Sequence, residues 1–206
     1  MMEGGKEDSA STSCKAVERP ILRVQRSMTS PASSRPRAAV ALIEHPGSER
    51  RFLLLKRAEN PEDPWAGHLS FPGGMRERTD ADLLDTAIRE TFEECGLKLT
   101  RAMLVGTLPT LEAGRDVDRP LGVASYVFQL GEASPLRLDA EEVSAAHWVA
   151  ESRLRNARSW RRGAINRRRP EQHYPYIELE GSLLWGFTLR VLARHLGLEN
   201  RLSESS

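Results

Sequence analysis

Three glutamates, Glu90, Glu93 and Glu94, stand at i, i+3 and i+4 in the run Arg89-Glu90-Thr91-Phe92-Glu93-Glu94-Cys95-Gly96-Leu97. On a helix those spacings put the three carboxylates within an arc of about 100°. They fall near the helix C-terminus, where negative charge is unfavourable. Such crowding costs roughly 0.2–0.5 kcal/mol per pair on a bare exposed helix. A hard divalent cation, Mg²⁺ or Mn²⁺, reverses that sign, because it takes carboxylate oxygens and completes its shell with phosphates and water. The plain alternative is a solvated acidic face. Context favours the cation: Phe71-Pro72-Gly73-Gly74 closes a strand just upstream, where a turn can bring backbone groups to a metal. Arg89 can hydrogen-bond a neighbouring carboxylate and fix it.

The element that carries these groups is expected to be a helix over 81–95, with Thr79 or Asp80 as N-cap and Gly96 as terminator. Ala81, Leu84, Ala87, Ile88, Thr91, Phe92 and Cys95 share its apolar face, which makes Cys95 a small core residue and not a nucleophile. Upstream, AAVALIEH (38–45) and RFLLLKR (51–57) read as two strands joined through Pro46-Gly47-Ser48. A polar loop over 58–67 and the alternating piece HLSFPGG (68–74) follow. Strands are expected in 102–111, 123–130 and 145–150, and a last helix over 182–196. This order of hairpin, helix, strands and helix predicts an α+β fold, with a mixed sheet between helices. Residues 1–36, rich in Ser, Gly, Pro and charge, read as a disordered tail, 37–199 as the domain and 200–206 as a second tail.

The chain has 206 residues, 30 basic and 29 acidic, for a formal charge of +1. That balance argues against a generic nucleic-acid coat. Only four basic residues are lysines, and the arginine excess suits either phosphorylated ligands or a codon bias. Two cysteines, Cys14 and Cys95, make neither a disulfide framework nor a zinc site. No apolar run approaches the ~18 residues of a membrane span. The first residues have no apolar stretch of signal-peptide length, so a cytoplasmic setting is expected.

The run Arg89–Leu97 resembles the second half of the box of the Nudix hydrolase family, Arg-Glu-x-x-Glu-Glu-x-Gly followed by an apolar residue, at every position. The first half departs, because 14 residues separate Gly74 from Arg89, one more than the pattern, and its expected Glu falls on Asp80 or Ala81. The resemblance implies a Nudix-type α/β/α sandwich and hydrolysis of a diphosphate attached to a nucleoside or similar group, with Mg²⁺ or Mn²⁺. It implies Glu90 and Glu94 as main metal ligands, Glu93 as a further ligand or an aid to water activation, and a carbonyl from the Gly73/Gly74 turn. Arg89 and Glu93 thus enter the catalytic set. Family members that place a general base outside the box make Glu141 or Glu142 candidates, with Glu142 preferred.

Leu53-Leu54-Leu55-Lys56-Arg57, the stretch Gly67–Gly74 and the C-terminal Leu184-Trp185-Gly186-Phe187 are similar to the coenzyme A diphosphatase branch. Within that motif Ala58 replaces a Ser, and Asp63 stands where a second Arg is expected, so an anion replaces a phosphate-facing cation. Eight arginines between Glu151 and Pro170 are an alternative supply, and an adenine ring could stack on Trp65 or Trp160. The expected ligand is therefore a small nucleotide, held by Arg57, Trp65 and Trp160, with coenzyme A or an acyl-CoA foremost. ADP-ribose, NADH and dinucleoside polyphosphates are the other substrates the resemblance implies. A nucleotide-sensing module without catalysis would not need all three glutamates. An RNA-facing surface lacks interleaved aromatics beyond Trp160. A homodimer is compatible with apolar strands such as VASYVFQL.

Overall fold

The computed structural model describes residues 36–114, 120–131 and 134–203. The chain runs β1 (Ala38–His45), β2 (Arg51–Arg57), β3 (Leu69–Ser70), β4 (Gly73–Met75), α1 (Leu83–Cys95), β5 (Leu104–Ala113), β6 (Leu121–Gln129) and β7 (Val143–Ala150). It continues through a short α2 (Glu151–Arg155), β8 (Trp160–Gly163), β9 (Tyr174–Leu179), β10 (Ser182–Trp185) and α3 (Gly186–Leu196). The main sheet has the order β3-β2-β1-β6-β5, with β4 also on β1 and β7 on β2. β1 and β6 are parallel, and the other pairs are antiparallel. This is the expected α+β architecture with a mixed sheet.

The unbroken apolar runs of β1 and β2 follow from burial on both faces. Ala39, Ala41, Ile43, Leu53, Leu55 and Phe128 point to one side, where Leu84, Ala87 and Cys95 of α1 pack on them. Leu42, Phe52, Leu54 and Val127 point to the other, against Leu189, Val191, Leu192 and Leu196 of α3 and Ile177, Leu179 and Leu184 of a second sheet. That second sheet, β10-β9-β8, was not expected. The residues 182–185, assigned by pattern to the last helix, form a strand paired with β9, and the helix starts at Gly186. Beyond residue 199 the chain makes a 3-10 turn, Glu199–Leu202, with Leu202 packed on the core and its carbonyl held by Arg162. The expected tail over 1–36 lies almost wholly outside the described residues.

One feature of the main sheet makes room for the site. β1 and β2 pair only at Glu44↔Phe52 and His45↔Arg51, then splay apart. Into the gap run β3, bonded to β2, and β4, bonded to β1. The Phe71-Pro72 link crosses between them, anchored by the Ala41 N–H to the Pro72 carbonyl at 2.9 Å. The backbone at Gly73 passes so close to Ala39 and Val40 that any Cβ would collide with their backbone atoms, and its φ of 147° is one that side chains disfavour.

Candidate active site

Helix α1 starts later than its pattern suggests. Its N-cap is Asp82, whose carboxylate accepts the Asp85 N–H, while Asp80 has a different task. Asp80 is buried and receives Arg89 in a two-pronged contact, Nε to Oδ1 and Nη2 to Oδ2, both at 3.0 Å. The Thr86 hydroxyl and the Glu77 N–H complete its shell at 2.8 and 2.9 Å. Arg89 foremost among these donors holds the Asp80 carboxyl well below the usual carboxylate range, and Asp80 in turn holds Arg89 protonated. Of the two positions on which the expected Glu of the motif falls, Asp80 is the one that holds Arg89. The remaining Arg89 donors reach the Met75 carbonyl at 3.1 Å, Glu93 at 2.7 Å and Glu90 at 3.1 Å. One guanidinium thus ties the start of the helix, the glycine turn and two of the three glutamates together.

Glu94 is the exception. It is 7% exposed, and among the described residues no cation lies within ion-pair distance of it. Burial pushes its carboxyl up to about 8, and the charges of Glu90 and Glu142 push the same way; the Gly73 N–H and the more distant Arg57 only partly offset them. Glu90 is raised too, chiefly by burial. Its carboxylate lies directly over Gly74, where a Cβ would run into it. Glycine at 74 is thus a condition for the glutamate's position.

Glu142 reaches this centre from another direction. The segment after β6 folds back on the end of α1, with the Arg137 and Asp139 N–H groups on the Cys95 and Glu94 carbonyls at 2.9 and 3.0 Å. Ala58 N–H then holds the Glu142 carbonyl at 2.8 Å, beside the Arg57↔Val143 pairing. The structure therefore brings together Gly73, Gly74, Glu90, Glu94 and Glu142, with Glu93 on the rim, exposed and held by Arg89.

These groups fit a hard divalent cation in kind: carboxylate and carbonyl oxygens around a buried carboxyl that has no counter-ion among the described residues. Among the described residues no three acidic, histidine or cysteine side chains close on one point. Mg²⁺ does not require such closure, since it ordinarily binds through one or two carboxylates and keeps water or phosphate on its other positions.

Next to this centre, past Met75 and Arg57, opens a cleft of about 800 Å³ between the main sheet and the second one. Trp65, Tyr174, Trp185 and Phe187 give it aromatic walls, and Arg57, Arg168 and Arg190 add positive charge. Trp65, 43% exposed, carries the Arg168 guanidinium over its ring at 5.6 Å. Asp63 does not present a free anion to the cleft. It accepts Arg57 Nε at 2.7 Å and the Trp65 N–H at 3.0 Å, and so shapes the loop. Trp160 is not at the cleft, which corrects its expected part in stacking a base. Its ring packs on the core, its Nε1–H donates to the Leu154 carbonyl at 2.8 Å, and Arg201 covers it. Phe92, expected in the core, is 42% exposed, whereas Glu94, expected on the outer face, is buried. Cys95 is buried as expected, and burial pushes its thiol up to about 11.

The sequence missed His68, Met75, Tyr174 and Phe187 as parts of the cleft, and placed Trp185 on the last helix, whereas it is a buried strand residue that also lines the cleft. No spacing signal joins residues so far apart in the chain.

The NUDIX domain family matches residues 34–167, well over half of the chain, and the chain belongs to that family. β9, β10 and α3, which build the far wall of the cleft, lie beyond the matched span. An uncharacterized Schizosaccharomyces pombe protein is 38% identical over 100 residues, which cover 47% of this chain and 30% of that one. An uncharacterized Nudix hydrolase NudL of Pectobacterium atrosepticum is 35% identical over 74 residues, 36% of this chain and 37% of its own. The NudL of Shigella boydii is 27% identical over 168 residues, 79% and 84% of the two chains. The chain thus spans less than half the length of the first two relatives. Among solved structures, the NUDIX domain of Shewanella oneidensis NrtR complexed with ADP ribose superposes with a TM-score of 0.48 at 18% identity, over 60% of this chain and 79% of that one. A MutT/nudix family protein from Enterococcus faecalis gives 0.49 at 18%, over 77% and 54%. Among the described residues no helix is long and apolar enough to cross a membrane.

Proposed function

We propose that the protein hydrolyses a diphosphate linkage in a nucleotide derivative with the help of Mg²⁺ or Mn²⁺, and that coenzyme A or an acyl-CoA is its substrate. The products would be 3′,5′-ADP and 4′-phosphopantetheine, or acyl-4′-phosphopantetheine from an acyl-CoA. The observation that carries this reading is the buried Glu94 carboxylate, raised to about 8 beside Glu90 and Glu142, with no cation among the described residues within ion-pair distance of it. Glu90 and Glu94 would hold the ion, joined by a carbonyl of the Gly73/Gly74 turn and by Glu93 once it leaves Arg89. A bound ion supplies positive charge for the phosphates and acidifies water. Arg89 acts as a positioning residue, since its donors go to Asp80, the Met75 carbonyl and the glutamates. Glu142 is the better candidate for general base, because it lies close enough to feel Glu90 and Glu94 while Glu93 is engaged by Arg89.

Coenzyme A is favoured by the motif around Arg57 and Gly67–Gly74 and by a cleft that pairs aromatic walls with arginines. The test is incubation with Mg²⁺ or Mn²⁺ and coenzyme A, ADP-ribose, NADH and diadenosine polyphosphates, with products separated by chromatography and Glu94→Gln as control. Cleavage of coenzyme A at the diphosphate supports the full reading. Preference for another diphosphate keeps the chemistry and discards coenzyme A. No cleavage of any of them contradicts the enzyme.

A further inference from the structure

The cleft contains a hydrogen-bond donor that the chemistry above leaves unused. His68 stands just before β3, with its backbone fixed by the Arg57 N–H on its carbonyl at 3.0 Å and its own N–H on the Trp65 carbonyl at 3.1 Å. Its ring meets Trp185 edge-on, centroids 5.6 Å apart at 85°, and Trp185 is braced in the same manner by Tyr174 at 5.4 Å. Trp185 Nε1 lies 3.0 Å from His68 Nδ1. An indole nitrogen can only donate, so Nδ1 accepts and the ring proton of neutral His68 sits on Nε2. Among the described residues Nε2–H has no acceptor, and the ring lines the cleft.

The surroundings say what that donor is for. Arg57 and Arg168 line the same cleft, and Arg167 is close enough for its charge to act on His68. Burial first, then Arg167, lowers the His68 pKa, while Asp63 and Glu59 work weakly the other way. A neutral ring that offers one N–H among arginines is suited to an anionic oxygen already drawn in by their charge. The contact also joins two parts of the chain, since His68 lies inside the span matched by the family and Trp185 outside it.

We propose that His68 is a substrate-binding residue whose Nε2–H, oriented by Trp185, donates to an anionic phosphoryl oxygen of the nucleotide. This rests on the nucleotide reading above. The oxygen belongs either to the diphosphate or to a separate phosphomonoester, which the experiment distinguishes.

The test uses two substitutions that divide the ring's functions. Asn at 68 can place an oxygen where Nδ1 lies, keeping the Trp185 contact and losing the outer donor. Gln at 68 reaches to the Nε2 position and keeps a donor there. Binding is measured by calorimetry in Mg²⁺ with α,β-methylene-ADP, whose diphosphate resists hydrolysis, and with adenosine 3′,5′-bisphosphate. For His68→Asn the dissociation constant rises roughly tenfold, the value of one hydrogen bond, while His68→Gln stays within about threefold of wild type. Loss with both ligands assigns the oxygen to a phosphate they share in position, loss with the bisphosphate alone assigns it to the monoester, and loss with α,β-methylene-ADP alone assigns it to the diphosphate. In the free protein, ring ¹⁵N shifts show Nε2–H, and Trp185→Phe redistributes the tautomers. Unchanged binding by His68→Asn, or the reverse ranking of the two variants, overturns the proposal. If wild type binds neither ligand while its His68 tautomer is as stated, the nucleotide reading itself fails and the proposal falls with it.

Discussion

Glu44 on β1 and Glu94 on α1 are 6% and 7% exposed, yet their surroundings differ in kind. Burial alone would raise both. At Glu44 that push is outweighed by His195 and Arg50, and the carboxyl is lowered; Arg50 lies 3.2 Å from it and also holds Glu151 at 2.6 Å. At Glu94 no cation among the described residues lies within ion-pair distance, burial and the charges of Glu90 and Glu142 act together, and its carboxyl rises to about 8. A buried charge with an internal partner fixes the fold. A buried charge that lacks one costs stability unless something from outside binds it. The contrast sets a glutamate paired inside the fold apart from the one we propose as a metal ligand.

Substitutions sharpen that contrast in order of expected effect. Glu94→Gln takes turnover to near background while the metal-free protein becomes more stable, read from steady-state assays and thermal unfolding side by side. For Glu142→Gln we expect kcat to fall by roughly 10²–10⁴-fold, the usual contribution of a general base, with the metal requirement retained. A smaller effect than tenfold would transfer that role elsewhere. Asp80→Asn should weaken metal affinity or activity by about 10–100-fold, as expected for a group that orients ligands through Arg89. Glu44→Gln comes last for activity, which should remain within about threefold, yet it should cost about 2 kcal/mol of stability through loss of charged hydrogen bonds. If Glu44→Gln impaired turnover as severely as Glu94→Gln, the division between the two glutamates would not hold.

The helix that bears the glutamates was legible because its signals are local: an apolar face at helical spacing, a terminating glycine, and a dense motif from Arg89 to Leu97. The order of strands through β7 was legible for the same reason. What escaped the pattern depends on distant chain segments. A helical wheel places Glu94 opposite the apolar face, but the splay of β1 from β2 brings the glycine turn over that side and buries it. It places Phe92 inward, yet the ring is exposed, with the Lys98 ammonium over it at 5.9 Å. β8 carries two arginines in four residues and β10 runs straight into α3, so neither shows a bounded strand of its own. Trp160 among its arginines looked like a stacking platform, whereas its indole N–H is consumed at Leu154. Asp80 became identifiable as Arg89's partner only when a folded loop brought the two together.

Thermal unfolding of the metal-free protein against pH tests whether the buried Glu94 carboxyl is ionised only at a cost that a bound cation removes. A carboxyl whose folded pKa is raised contributes its stability in the protonated form, in full below about pH 4.5, and loses it as pH rises toward about 8. Wild type should therefore fall progressively below Glu94→Gln in melting temperature between pH 5 and 8. Mg²⁺ or Mn²⁺ should restore wild type at pH 8, with proton release on binding, and leave the variant unmoved. A variant less stable than wild type at pH 8 without metal, or an equal response of both proteins to the ion, would contradict the claim.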